Sequence, residues 1–162
     1  MKLTFAENGY LIIDDAKIIF RNFSGAESKF NHKGNRNFAL VIDSEDVYEA
    51  LLNDVNKDGV SWNVKRRPPR EEGDAPFMYM PVKVNINDKG PNVYLKSGES
   101  TRKLTENSIG ILDDIEIESV DLDIRPYDNV VNGKPYRSAY LQAMHVTQRI
   151  DRFEARLAQD EE

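Results

Sequence analysis

The sequence predicts a mainly-β domain, and three observations support this prediction. Short stretches of alternating apolar and polar residues recur along the chain, turn-forming residues separate them, and only one segment has clear helical spacing. The chain of 162 residues is long enough to bury one ordinary hydrophobic core, so we expect a single domain. About eight short strands and one helix are therefore predicted.

The first predicted strands flank a long polar loop. Residues 10–23 are rich in isoleucine and aromatic residues, which predicts one strand, or two strands with Asp14 and Asp15 at a bend. A glycine-containing loop follows at residues 24–35, and its length is typical of loops that carry function. Residues 37–42 alternate again and predict the next strand.

The only helix predicted with clear signals comes next. Asp43 or Ser44 can cap its first turn, and the helix is expected to end near Asp54. After a turn, apolar residues alternate over residues 60–65 and predict a strand. Residues 65–70 are basic and contain two prolines, which predicts an extended loop without regular hydrogen bonds.

Two central strands are predicted to form a platform. Residues 77–86 place apolar side chains on one face, while rings and a cation fall on the other face. Residues 92–97 repeat this pattern, and the turn residues 87–91 predict a hairpin that joins the two strands. We expect the following residues to be adjacent and accessible on one face: Tyr79, Lys83, Tyr94 and Lys96.

The C-terminal third contains the last predicted elements. Residues 108–113 predict a helical turn, and residues 119–125 alternate as a half-buried strand. A turn at residues 132–133 precedes the last strand, residues 138–148. Residues 150–162 predict a helical or disordered acidic tail. We expect an elaborated OB-fold-like antiparallel barrel over residues 1–149, although pattern alone fits a generic β-sandwich equally well.

The composition excludes several classes of site. The chain has no cysteine and only two histidines, His32 and His145, so no metal site is predicted. A phosphate-binding glycine loop, a nucleophile elbow and a zinc-protease motif are all absent from the sequence, so no catalytic residue and no cofactor are predicted. No apolar run approaches the roughly 20 residues that cross a bilayer. We expect a soluble, cytoplasmic protein without a membrane partner.

The net charge of −6 hides a segregated charge pattern. Residues 16–36 contain five cations against one acid, and residues 60–103 contain nine cations against five acids. The acids concentrate at residues 43–58 and 106–128. Such a distribution allows an acidic protein to carry a basic groove, which is the surface that nucleic-acid phosphates require.

Rings beside cations favour binding of single-stranded DNA, because rings stack on bases while cations contact phosphates. Phe20 and Phe38 alternate with apolar neighbours, so we expect both in the core. The helix is acidic and is a poor reader of a duplex groove. The candidate DNA-contacting residues are Arg21, Arg36, Lys65, Arg66, Arg67, Tyr79, Lys83, Tyr94, Lys96, Tyr127, Tyr136 and Arg137.

Two parts of the chain resemble a known family. Residues 120–127, 132–134 and 139–146 resemble the C-terminal strands of phage-encoded single-stranded DNA-binding proteins with an OB fold. Residues 16–25 and 30–38 are similar to the N-terminal part of related phage proteins. The resemblance implies sequence-independent binding of single-stranded DNA during phage replication or recombination, in the bacterial host cytoplasm if the chain is phage-encoded.

The family's acidic C-terminus recruits replication proteins, so the resemblance implies that Asp160, Glu161 and Glu162 bind replication or recombination proteins. The match in this segment is partial, because Arg152 and Arg156 dilute its charge and the chain ends without an aromatic residue. The sequence leaves the oligomeric state open and allows a homodimer.

Two other functions remain open at this stage. An acidic protein-interaction module, such as a phage inhibitor or DNA mimic, would use the Asp and Glu surfaces. A magnesium nuclease would use Asp121 and Asp123, which share one strand face. The sequence also leaves open whether DNA or single-stranded RNA is preferred, because stacking and phosphate contacts serve both.

Overall fold

A computed structural model describes residues 1–151, and this part of the chain is mainly β. Its helical elements are α1 (Glu45–Asn53) and a 3-10 helix (Ile109–Asp113). Its strands are β1 (Lys2–Phe5), β2 (Leu11–Ala16), β3 (Ile18–Asn22), β4 (Arg36–Ile42), β5 (Lys65–Arg67), β6 (Phe77–Val84), β7 (Asn92–Ser97), β8 (Ser100–Leu104), β9 (Ile117–Val131) and β10 (Lys134–Gln148).

The ten strands form one sheet with the order β1-β2-β9-β10-β6-β4-β3. Two short additions lie beside this path: β5 pairs with β6, and β7 pairs with β10 and β8. Within residues 1–151 no pairing joins β1 to β3, so the sheet is open. The prediction of a mainly-β fold with one short helix is confirmed. Most pairs are antiparallel, as expected, but β10 runs parallel to both β6 and β7.

The predicted hairpin between β6 and β7 is wrong. Both strands run parallel to β10 along the same edge, with Lys83 opposite Tyr140 and Asn92 opposite Ala143. The turn at Asn87 and Gly90, closed by two backbone hydrogen bonds, therefore does not reverse the chain. The chain continues in its original direction after this turn because both strands find their partner in β10. Consecutive strands of alternating sequence do not by themselves fix a reversal.

Helix α1 forms as predicted, whereas the next segment does not. The Ser44 hydroxyl accepts a hydrogen bond from the Val47 N–H and so caps the first turn. Residues 60–64 are held near the helix by the Trp62 indole, which donates to Asp54 at 2.8 Å, and they form no extended strand. Instead, the basic residues of β5 pair with β6, and the two prolines follow directly after this strand.

Irregular positions bend the long strands. The pairing of β2 with β9 shifts register between Ile13 and Ala16, which places a bulge at Asp14 and Asp15, where a bend was predicted. The two strands divide at Lys17 and not at this bulge. Strands β9 and β10 form a ribbon of 15 residues each, closed by the predicted turn at Asn132 and Gly133. Both turn residues have positive φ, as a tight two-residue turn requires. Ribbon residues next to the turn, such as Val130 and Val131, are exposed and lie outside the core.

One hydrophobic core lies under the inner face of the sheet. The even-numbered side chains of β6, from Met78 to Val84, are buried there as the alternation predicts. Phe38 is buried and stacks on Phe23, with ring centroids 5.2 Å apart, so its prediction is confirmed. The expectation for Phe20 is wrong, because this ring is 65% exposed. A bulge between Ile19 and Asn22 turns it outward.

No helix within residues 1–151 is long and apolar enough to cross a membrane. The predicted tail residues Asp160, Glu161 and Glu162 lie outside the described residues.

Candidate nucleic-acid interface

The outer surface of β6, β9 and β10 carries a cluster of rings and cations. Paired residues of neighbouring strands point to the same side of a sheet. Arg125 pairs with Tyr140, and Tyr140 pairs with Lys83 on its other side. Residues two positions further along the ribbon share this side, away from the core. We call the following set the tyrosine face: Lys83, Arg125, Tyr127, Tyr136 and Tyr140.

Tyr140 lies at the centre of the tyrosine face. The Lys83 Nζ atom lies 5.8 Å from the centre of its ring, and the Arg125 guanidinium carbon lies 4.8 Å from it. Tyr127 contacts the same ring edge-to-face, with centroids 5.7 Å apart. A ring between two cations can hold a base while the cations contact the flanking phosphates.

Two clefts meet at Lys83 and extend the tyrosine face. A cleft of about 700 Å³ lies between residues 60–65 and the β9–β10 ribbon, and its lining includes Lys65 and Tyr136. A second cleft of about 370 Å³ lies beside the loop of residues 24–35 and includes Asn35, Lys83 and Tyr140. Lys83 lines both clefts, so a flexible single strand that passes from one cleft to the other would cross this lysine.

The predicted platform is wrong, because Tyr79 is buried and Tyr94 does not lie beside it. Tyr79 is only 8% exposed, because the Phe20 ring covers it at 5.9 Å and Arg67 donates two hydrogen bonds to its hydroxyl. Tyr94 is exposed, but it pairs with His145 rather than with a residue near Tyr79. Lys83 pairs with Tyr140 and Tyr94 pairs with His145, and these partners on β10 are five residues apart. The separation along the strand is therefore about 16 Å.

Tyr94 lies in acidic surroundings. It borders a shallow cleft that also includes Asp14, Asp121 and Asp123. These carboxylates repel phosphate, so the charge of the outer surface changes sign along β9, from Asp123 to Arg125. Lys96 lies further along the same strand, opposite Thr147. Neither Tyr94 nor Lys96 therefore belongs to the tyrosine face.

Three of the arginine candidates make contacts that hold the fold together. Arg21 donates to the carbonyls of Leu112 and Ile115, both at 2.8 Å, which anchors the 3-10 helix to β3. The Arg36 Nε atom donates to the carbonyl of Phe23 at 2.9 Å. Arg66 forms an ion pair with a carboxylate of α1 and lies over the Tyr48 ring. Their part in DNA binding stays a prediction.

The Arg137 side chain is buried except for 9% of its surface. Its guanidinium lies 5.0 Å from the Trp62 ring centre and donates to Asp128 at 2.9 Å. Partial burial acts to raise the pKa of Asp128. Hydrogen bonds from Arg137 and Asn56, with the charges of Arg137 and Lys57, outweigh that effect and hold the pKa below its ordinary value. This pair joins β9 to β10 close to the turn that closes the ribbon.

Two members of the tyrosine face, Tyr140 and Arg125, were not among the residues predicted from sequence to contact DNA. Tyr140 alternates with the buried Ala139 and Leu141, and Arg125 follows the buried Ile124. That alternation assigns each of them to the outer side. Arg125 was obscured because it lies in the most acidic stretch of the chain. Only the register of β9 and β10 brings it onto Tyr140.

Asp121 and Asp123 share the outer side of β9, as the nuclease alternative requires. The Asp121 side chain accepts a hydrogen bond from the backbone N–H of Asp15 at 3.0 Å, which supports the bulge in β2. Among residues 1–151, no group of three or more His, Asp or Glu side chains is placed to hold a metal ion.

Comparison with known proteins adds a family and a fold. Residues 3–162 match the model of a family described as "Putative phage ssDNA-binding domain". No curated protein sequence matches the chain at a significant level.

Among solved structures, the chain is similar to the single-stranded DNA-binding protein from bacteriophage Enc34. Its C-terminal truncation is 14% identical, with a TM-score of 0.50, and the match covers 93% of this chain and 97% of that one. The structure titled as its complex with ssDNA is 11% identical, with a TM-score of 0.52 and 92% of each chain covered. At these identities the likeness shows a shared fold.

Proposed function

Because the chain belongs to the phage ssDNA-binding domain family, we propose that it binds single-stranded DNA on the tyrosine face. The observation that supports this surface most strongly is the placement of Tyr140 between Lys83 and Arg125, with Tyr127 against its edge. The structurally similar phage protein has been solved in complex with ssDNA, which agrees with the proposal.

Binding on this surface follows from two separate interactions. Bases stack on the exposed tyrosine rings, and each stacked base contributes about 1–3 kcal/mol with little sequence preference. Lys65 and Lys83, which line the clefts, and Arg125, which lies beside the Tyr140 ring, neutralise phosphates, and this makes the affinity depend on salt. Phosphates and ring faces are common to all sequences, so the binding is sequence-independent.

Four of the residues predicted from sequence take direct roles in this proposal. Tyr127 and Tyr136 stack on bases, while Lys65 and Lys83 contact phosphates. We assign the central stacking position to Tyr140 and add Arg125 as a phosphate contact. Residues 1–149 act as one nucleic-acid-binding domain, and residues 150–162 form its acidic tail.

The family also supports a biological setting. We propose that the chain coats single-stranded DNA during phage replication or recombination, in the cytoplasm of the bacterial host, and acts without catalysing a reaction. Asp160, Glu161 and Glu162 then recruit replication or recombination proteins. A homodimer is compatible with this role.

Fluorescence anisotropy with labelled oligothymidylate tests the proposal. We expect binding at low salt that weakens as salt increases. Tyr140→Leu, which keeps an apolar side chain but removes the ring, should weaken binding about 5- to 150-fold, the equivalent of one lost stacking interaction. The matched control, Tyr94→Leu, should bind like the unmodified protein.

Two outcomes would contradict the proposal. Absence of binding at the lowest salt would remove DNA binding and favour the acidic protein-interaction module. Equal losses in Tyr94→Leu and Tyr140→Leu would move the binding surface away from the tyrosine face. A parallel titration with oligouridylate measures the preference between DNA and RNA.

A further inference from the structure

A second aromatic surface lies on β6, beyond the tyrosine face. Phe20 contacts two rings of β6 edge-to-face, Phe77 at 6.4 Å and Tyr79 at 5.9 Å between centroids. Phe77 and Tyr79 stack on one another at 5.4 Å. The Arg67 guanidinium lies 5.6 Å from the Tyr79 ring centre and donates to its hydroxyl. We call these four residues the phenylalanine corner.

Phe20 is exposed at a conformational cost. Its φ is 53°, in the left-handed region that residues with a Cβ atom rarely adopt. The bulge between Ile19 and Asn22 holds this conformation, and 65% of the side chain remains accessible to solvent. The Phe20 ring covers Tyr79, but most of its own surface stays in water despite the strained backbone. Strain of this kind is concentrated at binding sites.

The phenylalanine corner is continuous with the tyrosine face. Phe77, Tyr79 and Lys83 occupy alternate positions of β6 and therefore point to the same side of the strand. Tyr79 and Lys83 are four residues apart, or about 13 Å along the strand. Lys65 pairs with Tyr79 and Arg67 pairs with Phe77, so two cations of β5 border the corner on this side.

We propose that the phenylalanine corner is a second base-stacking site, at which Phe20 stacks on an unpaired base of the strand that crosses the tyrosine face. The proposal rests on the function proposed above. The cations of β5 and the continuity with Lys83 favour a nucleic-acid strand over an apolar protein segment, because phosphates follow the same path as the bases. Tyr79 contacts the Phe20 ring edge-to-face, and Arg67 holds Tyr79 in place through two hydrogen bonds to its hydroxyl.

The affinities for two oligothymidylates of different length distinguish binding at this site from binding on the tyrosine face. Their lengths should lie near the lower and upper ends of the range of about 4–16 nucleotides that one OB-like domain covers. The short oligonucleotide can occupy one stacking site, whereas the long one can reach both. Phe20→Gly and Phe20→Asn remove the ring and keep a residue that tolerates the positive φ. Phe30→Ala is the matched control, because Phe30 is exposed on the loop of residues 24–35.

We expect both Phe20 variants to stay folded, with circular dichroism spectra like that of the unmodified protein, and to lose about 5- to 150-fold in affinity for the long oligonucleotide. Their affinity for the short one should not change. Tyr140→Leu should weaken the binding of both oligonucleotides, and Phe30→Ala should weaken neither.

The inference is overturned if the Phe20 variants bind the long oligonucleotide normally while Tyr140→Leu weakens it, and in that case the proposed function stands. It is also overturned if the Phe20 variants bind DNA normally but lose a protein partner, which would make the corner a protein contact. Failure of the unmodified protein to bind either oligonucleotide would remove the proposed function together with this inference.

Discussion

Replacing Lys83 with alanine tests whether DNA binds on the tyrosine face or on the platform expected from sequence. Lys83 lies where the two clefts meet, and its Nζ atom lies close to the Tyr140 ring. Lys96, the matched control, is an exposed lysine on β7 opposite Thr147. Both lysines were predicted to contact phosphate, but only Lys83 lies on the tyrosine face.

The expected magnitude follows from the number of cations proposed to contact phosphate. Three of them, Lys65, Lys83 and Arg125, lie on the outer side of β5, β6 and β9. Each phosphate contact to a single strand adds about 0.7 to the slope of log affinity against log salt, so three contacts give a slope of about −2.1. Between about 50 and 200 mM salt, affinity then falls about 20-fold, and only about 7-fold without Lys83.

The assay is an anisotropy titration with labelled oligothymidylate at several salt concentrations. Lys83→Ala should reduce the slope by about 0.7, Lys83→Arg should retain it, and Lys96→Ala should leave it unchanged. An unchanged slope in Lys83→Ala would refute the reasoning. So would an equal reduction in Lys96→Ala, which would place the phosphates along β7.

Three further predictions concern the scaffold. Ser44→Ala should lower the free energy of unfolding by about 1 kcal/mol in chemical denaturation, because the Val47 N–H loses its cap. Asn31→Ala should speed proteolytic cleavage within residues 24–35, because its amide donates to three backbone carbonyls of that loop. Asp128→Asn should destabilise by about 0.5–1 kcal/mol at neutral pH. The folded-state pKa of Asp128 is lowered, so its contribution is present above about pH 3.8 and disappears as pH falls through the folded-state value. A destabilisation by Asp128→Asn that persists in acid would contradict the ion pair with Arg137.

Local signals predicted much of the fold. Period-two alternation found the buried face of β6 and the inner faces of β9 and β10, because burial on one side of a strand imposes that period. The cap at Ser44 and the turn at Asn132 depend on neighbouring residues alone. These elements were predictable because the interactions that fix them lie within a few residues of sequence.

Long-range pairing decided the features that the sequence did not reveal. Strands β6 and β7 run in the same direction because both pair in parallel with β10. The residues of the turn between them do not specify this direction. Tyr79 alternates as an exposed residue should, yet Phe20 covers it from β3, far away in sequence. Residues 60–64 form no strand, and within them the buried Trp62 donates to Asp54 at the end of α1, a contact that the alternating pattern does not predict.

The candidate site was predictable in part for the same reason. Tyr127 and Tyr136 were identified because they flank an obvious turn between two strands. Arg125 and Tyr140 needed the register of β9 and β10, which also brings Lys83 to Tyr140. A site that three strands assemble is visible only when their pairing is known.

Ultraviolet cross-linking of the full chain to oligothymidylate, with the linked residues assigned by mass spectrometry, tests the tyrosine face most directly. We expect cross-links at Tyr140, Tyr127 or Tyr136, all suppressed by an excess of unlabelled oligothymidylate. Cross-links confined to Tyr94, or to residues of the acidic surface around it, would contradict this expectation.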